Sequence, residues 1–154
     1  MKHLTLTALA LALGCASSSN TAATAQTTAP TTAAASASGA QEAALPEVSV
    51  DQLAGMLERR ENVAVYDANR RERYEQGHVP GARWVAHDGV TAEVLPSDRG
   101  THLVFYCANS MCRASHTAAR AAQALGFTQV SVLSAGIAGW TQANKPVVTG
   151  ANPS

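Results

Sequence analysis

Cys107 is the residue whose type and position in this chain most directly suggest chemistry. It follows an apolar run, His102 to Tyr106, that predicts a buried strand, and a short loop separates it from a helix-forming run, Ala114 to Leu125. A helix N-terminus carries partial positive charge and unpartnered N–H groups, so it binds anions and favours a thiolate over a thiol. The sequence therefore predicts a reactive sulfur in an anion-binding loop. Position alone leaves a buried, inert cysteine as the alternative.

The loop that follows Cys107 supplies the other candidate binding groups. Its members are Ala108, Asn109, Ser110, Met111, Cys112 and Arg113. Arg113 is expected to orient an anion through its planar guanidinium. Asn109 and Ser110 either donate hydrogen bonds to a ligand or serve as ordinary turn formers. Cys112 either fills the loop or acts as a resolving cysteine that closes a disulfide with Cys107.

Three further residues have roles that the sequence leaves less defined. Asp67 ends a second predicted buried strand, so it is expected at the same sheet edge as Cys107. It either supports the loop or caps its own turn. His78 is expected to hold a turn rather than take part in catalysis. His116 is expected on the exposed face of the helix, and because Cys107, Cys112 and His116 lack a fourth ligand, we predict no metal site and no cofactor.

The N-terminal segment has the features of an export signal. A basic start and the apolar stretch Leu4 to Leu13, too short to span a bilayer, predict a signal peptide over residues 1–14. The four residues that end at Cys15 resemble a bacterial lipobox, although Ala12 stands where leucine is usual. Cys15 is therefore expected to be lipidated, and Ala16 after it, by resemblance to bacterial lipoprotein sorting, implies an outer-membrane lipoprotein facing the periplasm. The alternative is a soluble periplasmic or secreted protein.

Composition separates a tether from a folded domain. Residues 15–44 are mostly Ala, Thr and Ser and are expected to form a disordered tether, which leaves 45–150 as a single domain. Basic and acidic residues number 11 each, without a basic stripe, so nucleic-acid binding is not expected.

The domain alternates predicted strands and helices, which indicates an α/β fold with a central parallel sheet. The predicted strands are 63–67, 83–85, 102–106 and 130–133. The predicted helices are 50–60, with a Ser49 and Gln52 capping box, and 69–76, 114–125 and 137–144. An alanine stripe at 114, 118, 121 and 122, with Leu125, marks the buried face of the third helix. Residues 90–95 are expected to form one or two helical turns.

Three motifs, in the same order, resemble the rhodanese-like domain family. They are Asp67 with Tyr74 and the turn Gly77 to Ala82, the strand end Val104 to Cys107, and the closing segment Ala135 to Trp140 with Pro146 and Val147. The resemblance covers residues 47–148, nearly the whole domain. It implies a three-layer α/β/α arrangement with helices on both faces of the sheet, and a persulfide intermediate on Cys107.

Two departures from the family pattern bear on function. Asn69 and Arg73 stand where the family usually has Arg and Glu, so an ion pair near them is expected to differ. The run from Cys107 to Arg113 has seven residues, giving C-x5-R, where the family usually has six. That spacing resembles rhodanese-fold phosphatases and arsenate reductases. It also resembles single-domain rhodaneses with a second loop cysteine, and the loop composition favours this comparison.

The resemblance implies a sulfurtransferase that moves sulfane sulfur from thiosulfate or a related donor to a nucleophilic acceptor. Its expected partners are a small anionic sulfur donor and an unknown thiol or protein acceptor, with membrane contact only through the lipid anchor. A thiol–disulfide redox protein that uses Cys107 and Cys112 is the first alternative. A phosphatase or arsenate reductase, and a non-catalytic sulfur carrier or binding module, are the others.

Overall fold

The computed structural model describes residues 44–151. The predicted signal peptide, the lipidation site Cys15 and all but the last residue of the predicted tether lie outside the described residues. Within residues 44–151, no helix is long and apolar enough to cross a membrane.

Four parallel strands form one sheet in the order β2-β1-β3-β4, which confirms the predicted fold class. The strands are β1 (Val63–Asp67), β2 (Arg83–Trp84), β3 (His102–Tyr106) and β4 (Val130–Leu133). In the sheet register Asp67 lies beside Tyr106, and Tyr106 lies beside Leu133. The carboxyl ends of the three longer strands are therefore level, and Cys107 leaves the sheet at the centre of that edge.

Residues 44–151 contain four helices, with bounds close to those predicted. They are α1 (Val50–Glu58), α2 (Arg71–Gln76), α3 (Ala114–Ala124) and α4 (Gly136–Gln142). Of these, α2 and α3 connect strands, whereas α1 precedes β1 and α4 follows β4. The capping box of α1 is formed by Ser49 and Gln52, as predicted. This helix ends before Arg60, because Arg60 takes a left-handed backbone conformation with φ 52°. The prediction of one or two helical turns in 90–95 was wrong, because this stretch forms no helix. It holds a single hydrogen-bonded turn, in which the Val94 N–H donates to the Thr91 carbonyl.

Helices cover both faces of the sheet, so the predicted three-layer arrangement is confirmed. Alternate residues of a strand point to opposite faces. Phe105 accordingly packs in the cluster beneath α3, whereas Val104 and Tyr106 pack with residues of α1 and α4. The strand that delivers Cys107 is buried from both sides, which fixes the position of its end.

The buried face of α3 differs slightly from the predicted stripe. Ala118, Ala119 and Ala122 are buried, whereas Ala121 is only half-buried. The helix is therefore rotated so that Ala119 takes the place predicted for Ala121. Ser115 lies one turn before Ala118 and Ala119 on the same face and is itself buried. A hydroxyl group thus interrupts an otherwise apolar face at the end nearest Cys107.

The first turn of α4 holds the start of the cysteine loop. The N–H groups of Ile137 and Ala138 donate to the carbonyls of Cys107 and Ala108, at 2.9 and 3.0 Å. Gly136 makes this approach possible, since its φ is +61° and a Cβ there would lie 2.7 Å from the Ala108 carbonyl carbon. The loop is therefore fixed by backbone contacts that need glycine at this position.

We expect Gly136→Ala to destabilise the domain more than Gly126→Ala does. Both glycines have positive φ, but a Cβ at Gly126 would meet no atom within 4 Å. Gly126→Ala carries only the left-handed backbone cost of about 1–2 kcal/mol. Gly136→Ala adds a clash of about 1–3 kcal/mol, so its melting temperature should be lower by several degrees. Equal melting temperatures would contradict the tight approach of α4 to the loop.

Candidate active site

Cys107 is buried and bonded to Cys112. Its side chain is 1% exposed, and a disulfide joins the two sulfurs across a Cα–Cα distance of 6.2 Å. That distance lies within the ordinary range for disulfides. The sequence left open whether these residues pair, and the structure brings them together. The Cys107 Sγ also lies 3.3 Å from the carbonyl oxygen of Cys112, so the loop folds back over the sulfur.

Ser115 provides the one hydroxyl group beside the Cys107 sulfur among the described residues. Its Oγ lies 3.4 Å from Cys107 Sγ, and the residue is 2% exposed. The same Oγ lies 3.5 Å from Nδ1 of His116, which is half-buried rather than exposed as predicted. The sequence prediction did not include Ser115. Its signal was its spacing from Ala118, Ala119 and Ala122, which places a polar side chain on the apolar face.

The tip of the loop is open to solvent. Met111 is 88% exposed, and Ser110 is exposed as well. The side-chain oxygen of Asn109 accepts from the Met111 N–H at 3.0 Å, and the Asn109 carbonyl accepts from the Cys112 N–H at 3.0 Å. Asn109 therefore acts as a turn former. Ser110 makes no side-chain hydrogen bond within residues 44–151.

Arg113 stands at the N-cap position of α3 with its side chain exposed. Among the described residues, its guanidinium has neither an ion pair nor a hydrogen bond. A cation at a helix N-terminus is disfavoured by the helix dipole. An arginine kept free at this position, beside the loop, is therefore available to an anionic ligand.

Asp67 caps its own turn rather than bracing the loop. Its Oδ1 accepts from the Asn69 N–H at 2.7 Å, and no hydrogen bond within residues 44–151 joins its carboxylate to the loop. Burial raises the pKa of Asp67, while the Asn69 N–H lowers it in part. Its Oδ2 is buried without a partner in the described part of the chain. Asp67 thus supports the shape of the sheet edge beside Cys107.

The buried side chains of Tyr106 and His78 stabilise the turn that lies beside this edge of the sheet. Burial, with the nearby Asp67 charge, raises the pKa of the Tyr106 hydroxyl far above its ordinary value, and that hydroxyl accepts from the Val79 N–H at 3.0 Å. His78 is buried, stacks on Tyr74 and bonds through Nδ1 to the Tyr74 carbonyl at 2.9 Å. These contacts agree with the turn-holding position expected for His78.

Around Asn69 and Arg73, the two residues that depart from the family pattern, the ion pair is made by a neighbouring arginine. Arg71, rather than Arg73, forms the local ion pair, with Glu75 at 3.0 Å, and its guanidinium lies over the Trp84 ring. The indole N–H of Trp84 donates to the Asn69 carbonyl at 2.9 Å. Arg73 is left without an ion pair among the described residues.

A cleft with a volume of about 1020 Å³ opens beside the loop, and Cys112 lies in its wall. Its polar and aromatic lining comes mainly from α2 and the segment after β2. These residues are Asn69, Arg70, Glu72, Arg73, Gln76, Trp84, His87 and Asp88. A cleft of this size accommodates a small molecule.

The described residues hold a disulfide-bonded pair of cysteines rather than a metal-ligand set. No group of three His, Cys, Asp or Glu side chains within residues 44–151 is arranged to bind a metal ion. What the arrangement provides is one buried sulfur beside a hydroxyl donor, one accessible sulfur in a cleft and a free guanidinium. These groups suit nucleophilic and exchange chemistry of sulfur.

Solved structures with the same fold include proteins of several kinds. A protein of Bacillus halodurans is 23% identical, with 69% of this chain and 78% of that chain covered and a TM-score of 0.64. A thiosulfate sulfurtransferase of Pseudomonas aeruginosa is 24% identical, with 69% of this chain but only 20% of that chain covered and a TM-score of 0.61. A Rhodopseudomonas palustris protein described as a possible tyrosine phosphatase is 20% identical, with 68% and 85% covered and a TM-score of 0.57.

These identities establish a shared fold. No curated protein sequence is similar enough to count as a match. A family model described as the rhodanese-like domain matches residues 49–143. This range contains all four strands and all four helices of the described residues. The chain therefore belongs to the rhodanese-like domain family.

Proposed function

We propose that the reduced protein is a sulfurtransferase that carries sulfane sulfur as a persulfide on Cys107. The observation that carries the proposal is the place of Cys107 in a rhodanese-like domain. It lies at the carboxyl end of the central strand, immediately before the loop and α3, with the Ser115 hydroxyl 3.4 Å from its sulfur. A hydrogen-bond donor and a helix N-terminus at this position both favour an anionic sulfur.

The proposed cycle has two steps. The Cys107 thiolate attacks the outer sulfur of thiosulfate or a related donor, the donor S–S bond breaks, and sulfite leaves with the bonding electrons. A nucleophilic acceptor then attacks the outer sulfur of the Cys107 persulfide and releases the thiolate. Ser115 and the N-terminus of α3 stabilise the anionic sulfur, both as the thiolate and as the persulfide, and Arg113 orients the donor anion. The disulfide form must be reduced before the first step.

A thiol–disulfide exchange protein is the second candidate, and the Cys107–Cys112 disulfide favours it. In this role the pair would pass electrons rather than sulfur. The two candidates differ in their need for Cys112, because exchange requires both cysteines whereas persulfide transfer requires Cys107 alone. A phosphatase of the C-x5-R type would instead hydrolyse a phosphate ester with Cys107 and Arg113.

Serine variants of the two cysteines separate these candidates. Cys107→Ser should abolish thiosulfate:cyanide sulfurtransferase activity with little change in melting temperature, because a serine hydroxyl supplies no thiolate at neutral pH. Cys112→Ser is the matched control and should stay active, with no need for prior reduction. Activity retained by Cys107→Ser would contradict the assignment. Turnover of a phosphate ester in place of sulfur transfer would favour the phosphatase.

Arg113→Lys tests the orientation of the donor. Lysine keeps the charge but loses the planar fork that matches an oxyanion, so we expect the KM for thiosulfate to rise about tenfold, with a smaller change in kcat. Arg59→Lys is the control, since Arg59 is exposed at the end of α1 and pairs with Glu61. Steady-state kinetics on the reduced proteins give both constants. An unchanged KM in Arg113→Lys would show that this side chain does not bind the donor.

A further inference from the structure

We propose that the Cys107–Cys112 disulfide is opened in one direction by a small zwitterionic thiol bound in the cleft beside Cys112. The thiol attacks Cys112, and Cys107 leaves as the thiolate. This inference rests on the proposed function in one respect, because the released Cys107 is the sulfur that then accepts sulfane sulfur. The mechanism of opening itself depends only on the geometry of the oxidised site.

Access separates the two sulfurs of the disulfide. Cys107 is 1% exposed, packed between the sheet edge, Ser115 and the Cys112 carbonyl. Cys112 is partly exposed and lines the cleft. In thiol–disulfide exchange, the sulfur that the incoming thiolate can reach is the one attacked. An external thiol therefore meets Cys112 first.

The environment of Cys107 also makes it the better leaving group. Exchange is faster when the departing sulfur is stabilised as an anion. The Ser115 hydroxyl, 3.4 Å from Cys107 Sγ, is placed to donate to that anion, and His116 Nδ1 lies 3.5 Å from the same hydroxyl. Among the described residues, no hydroxyl contacts Cys112 Sγ. Access and leaving-group stabilisation therefore specify the same direction.

The charges that line the cleft indicate the class of thiol. Arg70 and Arg73 supply two cations, and Glu72 and Asp88 supply two anions. Within residues 44–151, none of the four forms an ion pair with another side chain. Unpaired charges of both signs around one cleft are complementary to a ligand that carries both an ammonium and a carboxylate group. A thiol of that kind, such as glutathione, fits the volume of the cleft.

The exchange balances without any further reactant. The incoming thiolate forms a bond to Cys112 Sγ, the Cys107–Cys112 bond breaks, and Cys107 takes the bonding electrons. A second molecule of the same thiol then attacks the ligand sulfur of the mixed disulfide and releases Cys112. Two thiols are oxidised to one disulfide, and the two protein cysteines are reduced.

Mapping of the first adduct tests the direction of opening. The oxidised full chain is treated with limiting glutathione, with iodoacetamide present to trap the released thiolate, and the peptides are analysed by mass spectrometry without reduction. We expect glutathione on Cys112 and alkylation on Cys107. Glutathione on Cys107 with alkylation on Cys112 would overturn the proposal.

The rate of opening tests the role of Ser115. Loss of a hydrogen bond to a charged sulfur should make Ser115→Ala open about tenfold more slowly with either glutathione or 2-mercaptoethanol. Ser115→Thr keeps the hydroxyl and should retain most of the rate, a rescue that a purely packing role would not give. If Ser115→Ala fails to fold, the adduct map on the natural chain still decides the direction.

The charge preference tests the cleft. Per thiolate, glutathione should open the natural chain faster than 2-mercaptoethanol. Combined Arg70→Gln and Arg73→Gln should slow glutathione about fivefold and leave 2-mercaptoethanol unchanged. Arg59→Gln, which lies outside the cleft, should change neither rate. Equal rates for the two thiols would overturn the cleft assignment. Because no sulfur donor is present, these results stand or fall separately from persulfide formation.

Discussion

The hydrogen bonds from α4 to the carbonyls of Cys107 and Ala108 are the contacts on which the site depends. A loop that leaves the end of a strand has no sheet partner to direct it. Here the N–H groups in the first turn of α4, which have no partner within that helix, donate hydrogen bonds to the carbonyls of the two residues that follow β3. Gly136 permits the approach, because any Cβ there would strike the loop backbone. Backbone hydrogen bonds therefore hold the sulfur at the centre of the sheet edge, and this needs no contribution from the side chains of the loop.

The fixed sulfur has a different environment on each side. Toward the core it meets Ser115, a single hydroxyl on a face of α3 that is otherwise alanine. Toward solvent it is covered by the loop and bonded to Cys112, which faces the cleft. The inner side stabilises charge on Cys107, and the outer side controls when that charge can form. The proposed persulfide and the disulfide are thus two forms of one buried sulfur, and both would occupy the same site.

Sequence patterns predicted the sheet, its helices and the position of Cys107, because strand and helix periodicity and the strand–loop–helix order are local signals. The β3 and β4 bounds agree with the pattern residue for residue. What the patterns missed depends on rotation and tertiary approach. Ala119 is buried instead of the predicted Ala121 because of the rotation of α3 about its own axis on the sheet. The same rotation buries Ser115. The pairing of Cys107 with Cys112 depends on how tightly the loop curls, which spacing alone does not determine. The family resemblance identified Gly136 within a motif, but only the structure gave its physical role.

In the proposed cycle the Sγ atom of reduced Cys107 receives the sulfur. The most direct measurement is the intact and peptide mass of the chain after incubation with thiosulfate, for the reduced and the oxidised protein side by side. We expect a gain of one sulfur atom on Cys107 in the reduced protein and none in the oxidised protein. No gain in the reduced protein, or a gain located on Cys112, would contradict the proposed cycle.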